Sequence, residues 1–408
     1  MTAKIAIVGA GPSGCYLAQA LLKAQSDLQI DILDVLPVPF GLVRYGVAPD
    51  HQGTKAVARQ FARIFERQGA RFIGNVHVGK DVTLQALREA YDIVVLAAGL
   101  SQDRRLGIPG DDLPNVHGAA RLIRALQEHP DADPLPDLGP HPVIVGNGNV
   151  AIDLLRLLCK TPDEFHGSDL GQGPGDWLAA NKPESIIVVG RSPASRARFD
   201  PVMIRELKRL GNVAIDVIDA DASDDHEGRK RLEALAEIDG HRSGSTRLVF
   251  RFGLTPLAVE GEARAVGLRV AGNEGEETIP ASSVLTAIGF TDGGNLDRDA
   301  LVGEGQPDEG GKLADRLFAV GWFRAGSRGA IPDSRADAQL VATRILEEIS
   351  VDAARPGCDI LAGLSGTVTY AGWQKIDAAE QGAAPPTRCR RKLPTRNELL
   401  KAAGQEVN

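Results

Sequence analysis

Two glycine fingerprints stand in this chain, and each opens what reads as a strand, a turn and a helix. The first, IAIVGAGPSGCYLAQALL, places Gly9, Gly11 and Gly14 in GxGxxG spacing, and Asp34 closes the next apolar run twenty positions after Gly14. The second, VIVGNGNVAIDLLRLL, places Gly146, Gly148 and Ala151 in the GxGxxA variant. In such a turn the first glycine makes a tight bend, the second lets a pyrophosphate approach the backbone, and the third small residue lets helix and strand pack closely. The amides and the positive dipole end of the helix then hold the phosphates. One such turn binds one dinucleotide. Two in series point to a flavin and a nicotinamide placed to exchange a hydride, and hence to an α/β fold of two Rossmann-like dinucleotide-binding domains.

The segments that follow assign the cofactors. After the first fingerprint, LQIDILDV puts Asp34 where a carboxylate accepts hydrogen bonds from ribose hydroxyls, which suits FAD or NAD and repels a 2′-phosphate. After the second, SIIVVG runs into Arg191, with Arg196 and Arg198 close behind and no carboxylate at that place. Guanidinium groups pair with phosphate through charge-assisted, often bidentate hydrogen bonds, so cations there suit NADP. The first site therefore reads as FAD and the second as NADP.

At 408 residues the chain exceeds what one core usually supports. A hydrophobic content of 43% suffices for packed interiors, and a net charge of -8 gives no general attraction to nucleic acid or an anionic membrane. No apolar run approaches the length that spans a bilayer. Because the first residues run directly into a strand pattern, the expectation is a cytoplasmic protein with no signal peptide. Cys15, Cys159, Cys358 and Cys389 are widely separated and form no CxxC pair, which argues against a redox-active disulfide and against a zinc or iron-sulfur site in the chain. Cys15 and Cys159 fall in expected helices, where packing is their role.

The pattern along the chain is nested. AYDIVVLAAGL reads as a buried parallel strand, and RRLGIPGDDLPNVHG, rich in Gly, Pro and Asp, as a crossover. The stretch RLVFRFGLTPLAVEGEARAVGLRVAG alternates as antiparallel strands do, and VLTAIGF reads as a strand returning to the first domain. LFAVGWFRAGSRGAIPDSRADAQLVATRILEEI then supplies strand, loop and helix, and the last forty or so residues read as loosely structured. The expected division is an FAD domain over 1–105 and 310–408, with the NAD(P) domain, 106–309, inserted into it.

VPFGLVRYGVAPDHQGTK, GNGNVAIDLLR, GRS followed by IRELKRL, GWFRAGSRGAI, and the tail segments WQKIDAAEQG and RRKLP occur in an order that resembles ferredoxin-NADP reductases of the adrenodoxin-reductase type over nearly the whole chain. The long run PFGLVRYGVAPDH is the most specific of these. The resemblance implies an enzyme that holds FAD noncovalently, takes a hydride from NADPH and passes single electrons to a small iron-sulfur ferredoxin. It also implies residue roles. Gly9, Pro12 and Ser13 line the FAD pyrophosphate, Asp34 sits at the adenosine ribose in place of the family's usual glutamate, and Leu42, Val43 and Arg44 pass near the flavin. Trp322 and Gly329, Ala330 and Ile331 match the loop that closes over the isoalloxazine. Gly148, Asn149 and Val150 match the NADP pyrophosphate turn, and Arg191 and Glu206 the adenosine-phosphate subsite. His51 and Asp153 match polar residues near the flavin and are the candidates for positioning the nicotinamide or handling a proton.

One departure from the family pattern bears on specificity. Where the family shows two adjacent arginines, this chain has Arg191 followed by Ser192, with Pro193 in place of glycine and a longer loop behind it. Ser192 donates a hydrogen bond but brings no charge, so the preference for NADPH over NADH should weaken unless Arg196 or Arg198 folds in. An acidic ferredoxin would find basic residues at Arg205, Lys208 and Arg209 and at Arg229, Lys230 and Arg231, each cluster on an expected helix. Two other enzyme classes fit the fingerprints, a flavin-dependent reductase or oxidase of small molecules and the electron-input component of a glutamate-synthase-like assembly. A nonenzymatic dinucleotide sensor is a further reading.

Overall fold

The structure is a computed structural model that describes residues 2–293, 296–303, 308, 310–329 and 331–406. It divides into two units, one made of Met1–Gln102, Glu128–Asp131 and Phe290–Asn408, the other of Asp103–Gln127 and Ala132–Gly289.

The first unit is built on a seven-stranded sheet in the order Lys312–Ala314, Leu317–Ala319, Ile93–Leu96, Lys4–Val8, Gln29–Asp34, Arg71–Gly74, Val368–Thr369. The five central strands are parallel and the two edge strands antiparallel. After Lys4, strand Lys4–Val8 is apolar on both faces because both are covered, as is usual in parallel sheets. Ile5 and Ile7 pack with Leu17 and Leu21 of helix Pro12–Ala24 and with Val341 and Ile345 of helix Ile331–Glu348. Ala6 and Val8 face the opposite way, into a cluster with Leu87, Tyr91 and Phe323. Helix Pro12–Ala24 starts with Pro12 in its first turn, where a missing amide hydrogen costs nothing.

The second unit carries six parallel strands in the order Val116–Gly118, Ser283–Thr286, Pro142–Val145, Ser185–Gly190, Thr246–Phe252, Val213–Ile218. A three-stranded antiparallel sheet, Thr255–Glu260, Gly267–Gly272 and Gly275–Pro280, stands beside them.

Several sequence expectations are corrected here. Thr246–Phe252 is a parallel strand inserted between Ser185–Gly190 and Val213–Ile218, so only the later part of its run is antiparallel. Ser283–Thr286 returns to the second sheet, pairing with Pro142–Val145, rather than to the first domain. The chain re-enters the first unit at Phe290 rather than at 310. Phe290 is held there by its ring against Trp322, with centroids 5.1 Å apart, and by its amide donating to Ser327 Oγ at 3.1 Å. The crossover RRLGIPGDDLPNVHG ends in an edge strand, Val116–Gly118. The C-terminal residues form the helices Tyr370–Gly382 and Arg396–Ala403, the latter opened by a capping box of Thr395 and Glu398.

Candidate functional site

The two fingerprints fold into the same local geometry. Gly9 and Gly146 have φ of 116° and 123°, and a Cβ on either would stand 2.4 Å from Ala97 O or 2.3 Å from Ala287 O, in the backbone of the neighbouring strand's end. Gly14 allows its helix to press on the turn, since a Cβ there would lie 2.0 Å from Gly9 O. At Gly11 and Gly148, by contrast, a Cβ would meet nothing within 4 Å. Both cap their helices without a side-chain acceptor for the first amides. An open approach to helix-terminal amides that no side chain caps is what a pyrophosphate needs, and both turns fit one.

Other residues of the first unit cover the first turn. Phe40 N donates to Ala10 O at 2.9 Å, and a Cβ on Gly41 would stand 3.0 Å from Gly11 Cα, so the segment 40–45 lies on the fingerprint. Of Leu42, Val43 and Arg44, only Leu42 is exposed; Val43 is core and Arg44 is buried. Arg44 Nη2 donates to Glu380 Oε1 at 2.6 Å, and its guanidinium sits over the Tyr45 and Trp373 rings at 5.0 and 5.2 Å. Burial opposes both charges, yet the pairing prevails: Glu380 stays below the usual carboxylate range and Arg44 is held more firmly protonated. Glu380 also accepts from Arg390 Nη1 at 2.8 Å and Leu393 N at 3.0 Å, which joins the tail to this wall. The Arg44 side chain is therefore an anchor of the segment that carries Leu42. Nothing in the spacing of the first hundred residues signals its partner in the tail.

On the other side of this turn, Ser13 Oγ lies 1.9 Å from where a Cβ on Gly321 would stand, which brings Gly321, the residue before Trp322, against the fingerprint helix. Asp337 Oδ2 accepts from Gly321 N at 2.6 Å. Gly329 is exposed, Ile331 begins helix Ile331–Glu348 and packs on the core, and Ala330 lies outside the described residues. Asp34 is not a free ribose acceptor: Oδ2 takes Ala10 N at 2.8 Å and Oδ1 takes Leu36 N at 2.9 Å. Burial pushes its carboxyl up to about 6, against the pull of those two amides. Each oxygen keeps a second lone pair for a ribose hydroxyl.

The second turn is bordered by its arginine loop. Asn147 Nδ2 donates to Ser192 Oγ at 3.3 Å, and Gly190 is the small residue beneath it, where a Cβ would stand 2.3 Å from Nδ2. Gly148 and Arg198 form a parallel backbone bridge, and Asn149 Oδ1 accepts from Asp200 N at 2.7 Å. The longer loop thus folds back on the fingerprint. Arg191, Arg196 and Arg198 are all exposed, and none forms an ion pair among the described residues. Val150 lies in the first turn of helix Asn149–Cys159, and Glu206 ends helix Pro201–Glu206.

His51 stands at the N-cap of the turn Gln52–Lys55 but does not cap it with its side chain. Lys55 Nζ donates to Arg44 O at 3.2 Å, tying that turn to the wall of the first site. Asp153, in the second unit, accepts from the buried Arg156 Nη2 at 2.9 Å. Among the docking candidates, Arg205 is paired with Glu237 at 2.9 Å and Lys230 with Glu227 at 3.1 Å. Arg231 Nη1 donates to Ser195 O at 3.1 Å and Arg229 Nη1 to Asp224 O at 2.8 Å. Carboxylates thus offset two of the six expected basic residues and backbone carbonyls engage two more, while Lys208 and Arg209 are exposed. Cys15 and Cys159 are fully buried, and burial pushes the Cys159 thiol up to about 12 and the Cys15 thiol higher still. Among the described residues no cluster of His, Cys, Asp or Glu could hold a metal ion, and no helix is long and apolar enough to cross a membrane.

Two dinucleotide turns, each on the parallel strands of its own sheet, with buried thiols beside them, define a flavin- and nicotinamide-dependent oxidoreductase. Residues 3–166 match the family model described as pyridine nucleotide-disulphide oxidoreductase. The chain is 43% identical to the cindoxin reductase of Citrobacter braakii, over 96% of this chain and 89% of that one. It is 33% identical to the NADPH-ferredoxin reductase FprA of Mycobacterium tuberculosis over 97% of this chain and 98% of that one. With the mitochondrial NADPH:adrenodoxin oxidoreductase of Drosophila melanogaster it shares 33% identity, over 99% and 94%. The solved structure of Mycobacterium tuberculosis FprA in complex with NADPH superposes with a TM-score of 0.89 at 30% identity, covering 99% of this chain and 100% of that one. The chain belongs to the ferredoxin-NADP reductases of the adrenodoxin-reductase type, FAD-dependent enzymes that draw electrons from NADPH.

Proposed function

We propose that this reductase holds FAD on the Gly9–Gly14 turn, receives a hydride from NADPH, or more weakly NADH, held on the Gly146–Ala151 turn, and delivers electrons singly to a small acidic iron-sulfur ferredoxin. The observation that carries the assignment is the contrast between the turns. The first is covered by its own unit at Gly41 and Gly321, as suits a resident cofactor, while the second is bordered by exposed arginines, as suits a nucleotide that must come and go.

FAD, when bound, supplies the conversion of a two-electron donor into one-electron steps. The chain supplies position. Helix amides after Gly11 and Gly148 hold the two pyrophosphates, Leu42 and Trp322 flank the flavin ring, and Asp34 accepts from the adenosine ribose. Arg191, Arg196 and Arg198 supply charge for the 2′-phosphate, with Glu206 at the same subsite, and His51 and Asp153 position the nicotinamide or relay a proton. Lys208 and Arg209, exposed on one short turn, lead the docking of the acidic acceptor, with Arg205, Arg229 and Lys230 beside them.

The relatives are named for ferredoxin, adrenodoxin and cindoxin, so the acceptor is the property to test. Purified holoenzyme should be yellow, with one FAD per chain released on denaturation. It should reduce cytochrome c with NADPH only when a ferredoxin of the source organism is added. Equal cytochrome c reduction without any ferredoxin would favour direct action on a small molecule.

A further inference from the structure

Loop 194–199 alternates in a telling way. Ala194, Ser195, Ala197 and Phe199 are buried, whereas Arg196 and Arg198 point outward. Ser195 is fixed at every polar atom. Its amide donates to Asp221 Oδ1 at 2.9 Å, its hydroxyl to Asp221 Oδ2 at 2.5 Å, and its carbonyl accepts from Arg231 Nη1 at 3.1 Å. Asp221 follows strand Val213–Ile218 and Arg231 lies on helix His226–Ile238, so two separate elements grip one residue of the loop. Three residues further on, Arg198 bridges Gly148 and Asp200 N donates to Asn149.

We infer that Ser195 and Asp221 form a latch that presets Arg196 and Arg198 beside the second dinucleotide turn, and that this latch, rather than a second adjacent arginine, sets the selectivity for a 2′-phosphorylated nucleotide. The inference rests on the proposal that the loop arginines bind the 2′-phosphate. A long exposed arginine on an untethered loop must be ordered when the phosphate arrives, and that ordering subtracts from the pairing. With Ser195 held, the backbone order is already in place. Ser195 and Asp221 are positioning residues, acting through the arginines.

The experiment is calorimetric titration of the FAD-loaded enzyme with 2′,5′-ADP and with 5′-AMP, which share the adenosine and the 5′-phosphate and differ in the 2′-phosphate. Ser195→Ala and Asp221→Asn should each raise the Kd of 2′,5′-ADP by roughly tenfold, while the Kd of 5′-AMP changes far less and so reports an intact domain. The double variant should be no worse than either single, because both remove one latch. Arg196→Ala and Arg198→Ala provide the reference. If they lower selectivity while Ser195→Ala does not, the latch is wrong and the arginine assignment stands. If Asp221→Asn tightens 2′,5′-ADP, Asp221 acts as a repelling charge and the latch is again wrong. If neither arginine variant changes the ratio of the two Kd values, the assignment of the loop arginines fails and the latch with it.

Discussion

The two glycine turns share their backbone geometry and differ in what covers them. The first is walled by segments of its own unit, and the wall is anchored by a buried ion pair, with Arg44 at 6% and Glu380 at 0% side-chain exposure. The second is bordered by a surface loop whose arginines face solvent and whose Ser195 is held by Asp221 and Arg231. A sequence fingerprint therefore reports that a dinucleotide binds, while its cover reports whether that dinucleotide stays. Buried polar anchors make a rigid wall at a high cost of disruption, and exposed ones make an adjustable rim at a low one.

The largest expected effect tests the wall. Glu380→Ala leaves Arg44 buried without its partner, removes the acceptor of Leu393 N and leaves Arg390 with Asp377 alone, and breaking a buried pair costs about 3–5 kcal/mol. Thermal unfolding should show that loss together with a lower FAD-to-protein ratio. An unchanged melting temperature with full FAD content would mean that the wall is held by packing alone.

Next is the rim. Arg191→Ala should raise the NADPH KM by roughly ten- to a hundredfold and the NADH KM much less, the worth of one charge-assisted contact. Ser192→Arg should shift preference the other way. Steady-state kinetics of the Arg191, Arg196 and Arg198 alanine variants with both nucleotides decides among the three. An equal effect of Arg191→Ala on both nucleotides would show that it does not face the 2′-phosphate.

The turns themselves offer a matched pair. A Cβ at Gly11 or Gly148 meets no protein atom within 4 Å, so Gly11→Ala and Gly148→Ala should fold normally and interfere only with the nucleotide. Gly11→Ala should weaken FAD retention, and Gly148→Ala should raise the KM for NADPH and NADH alike, each by about tenfold. Loss of FAD from Gly148→Ala would assign the cofactors the other way round.

The smallest effect concerns pH. Asp34 stands at about 6 in the folded chain, mainly because it is buried. Ribose hydroxyls that donate to the carboxylate favour its ionised form, so FAD affinity should rise a few-fold as pH increases from about 5 to about 7. For the polypeptide alone the sign is opposite, since a carboxyl raised on folding costs stability as pH rises from the ordinary aspartate range towards 6. Fluorescence titration of FAD onto apoenzyme checks the first statement. A flat profile, or one that survives Asp34→Asn, removes Asp34 from the ribose.

Much of this was legible in one dimension. Glycine spacing, apolar strands buried on both faces and the order of the motifs are local, and local sterics read them the same way in any context. Strand Ile93–Leu96 and helix Ile331–Glu348 lie where the pattern placed them. Tertiary structure decided the rest. Thr246–Phe252 looked antiparallel until its neighbours showed it to be a parallel insert, because pairing direction belongs to the sheet and not to the strand. Arg44 meets Glu380 across 336 residues, and Arg231 read as a docking charge until the fold turned it onto Ser195. The sequence by itself determined two dinucleotide turns, since each turn needs only its own few residues. What covers each turn, and which arginine faces a ligand, rests on partners far along the chain that only the folded structure brings within hydrogen-bond reach.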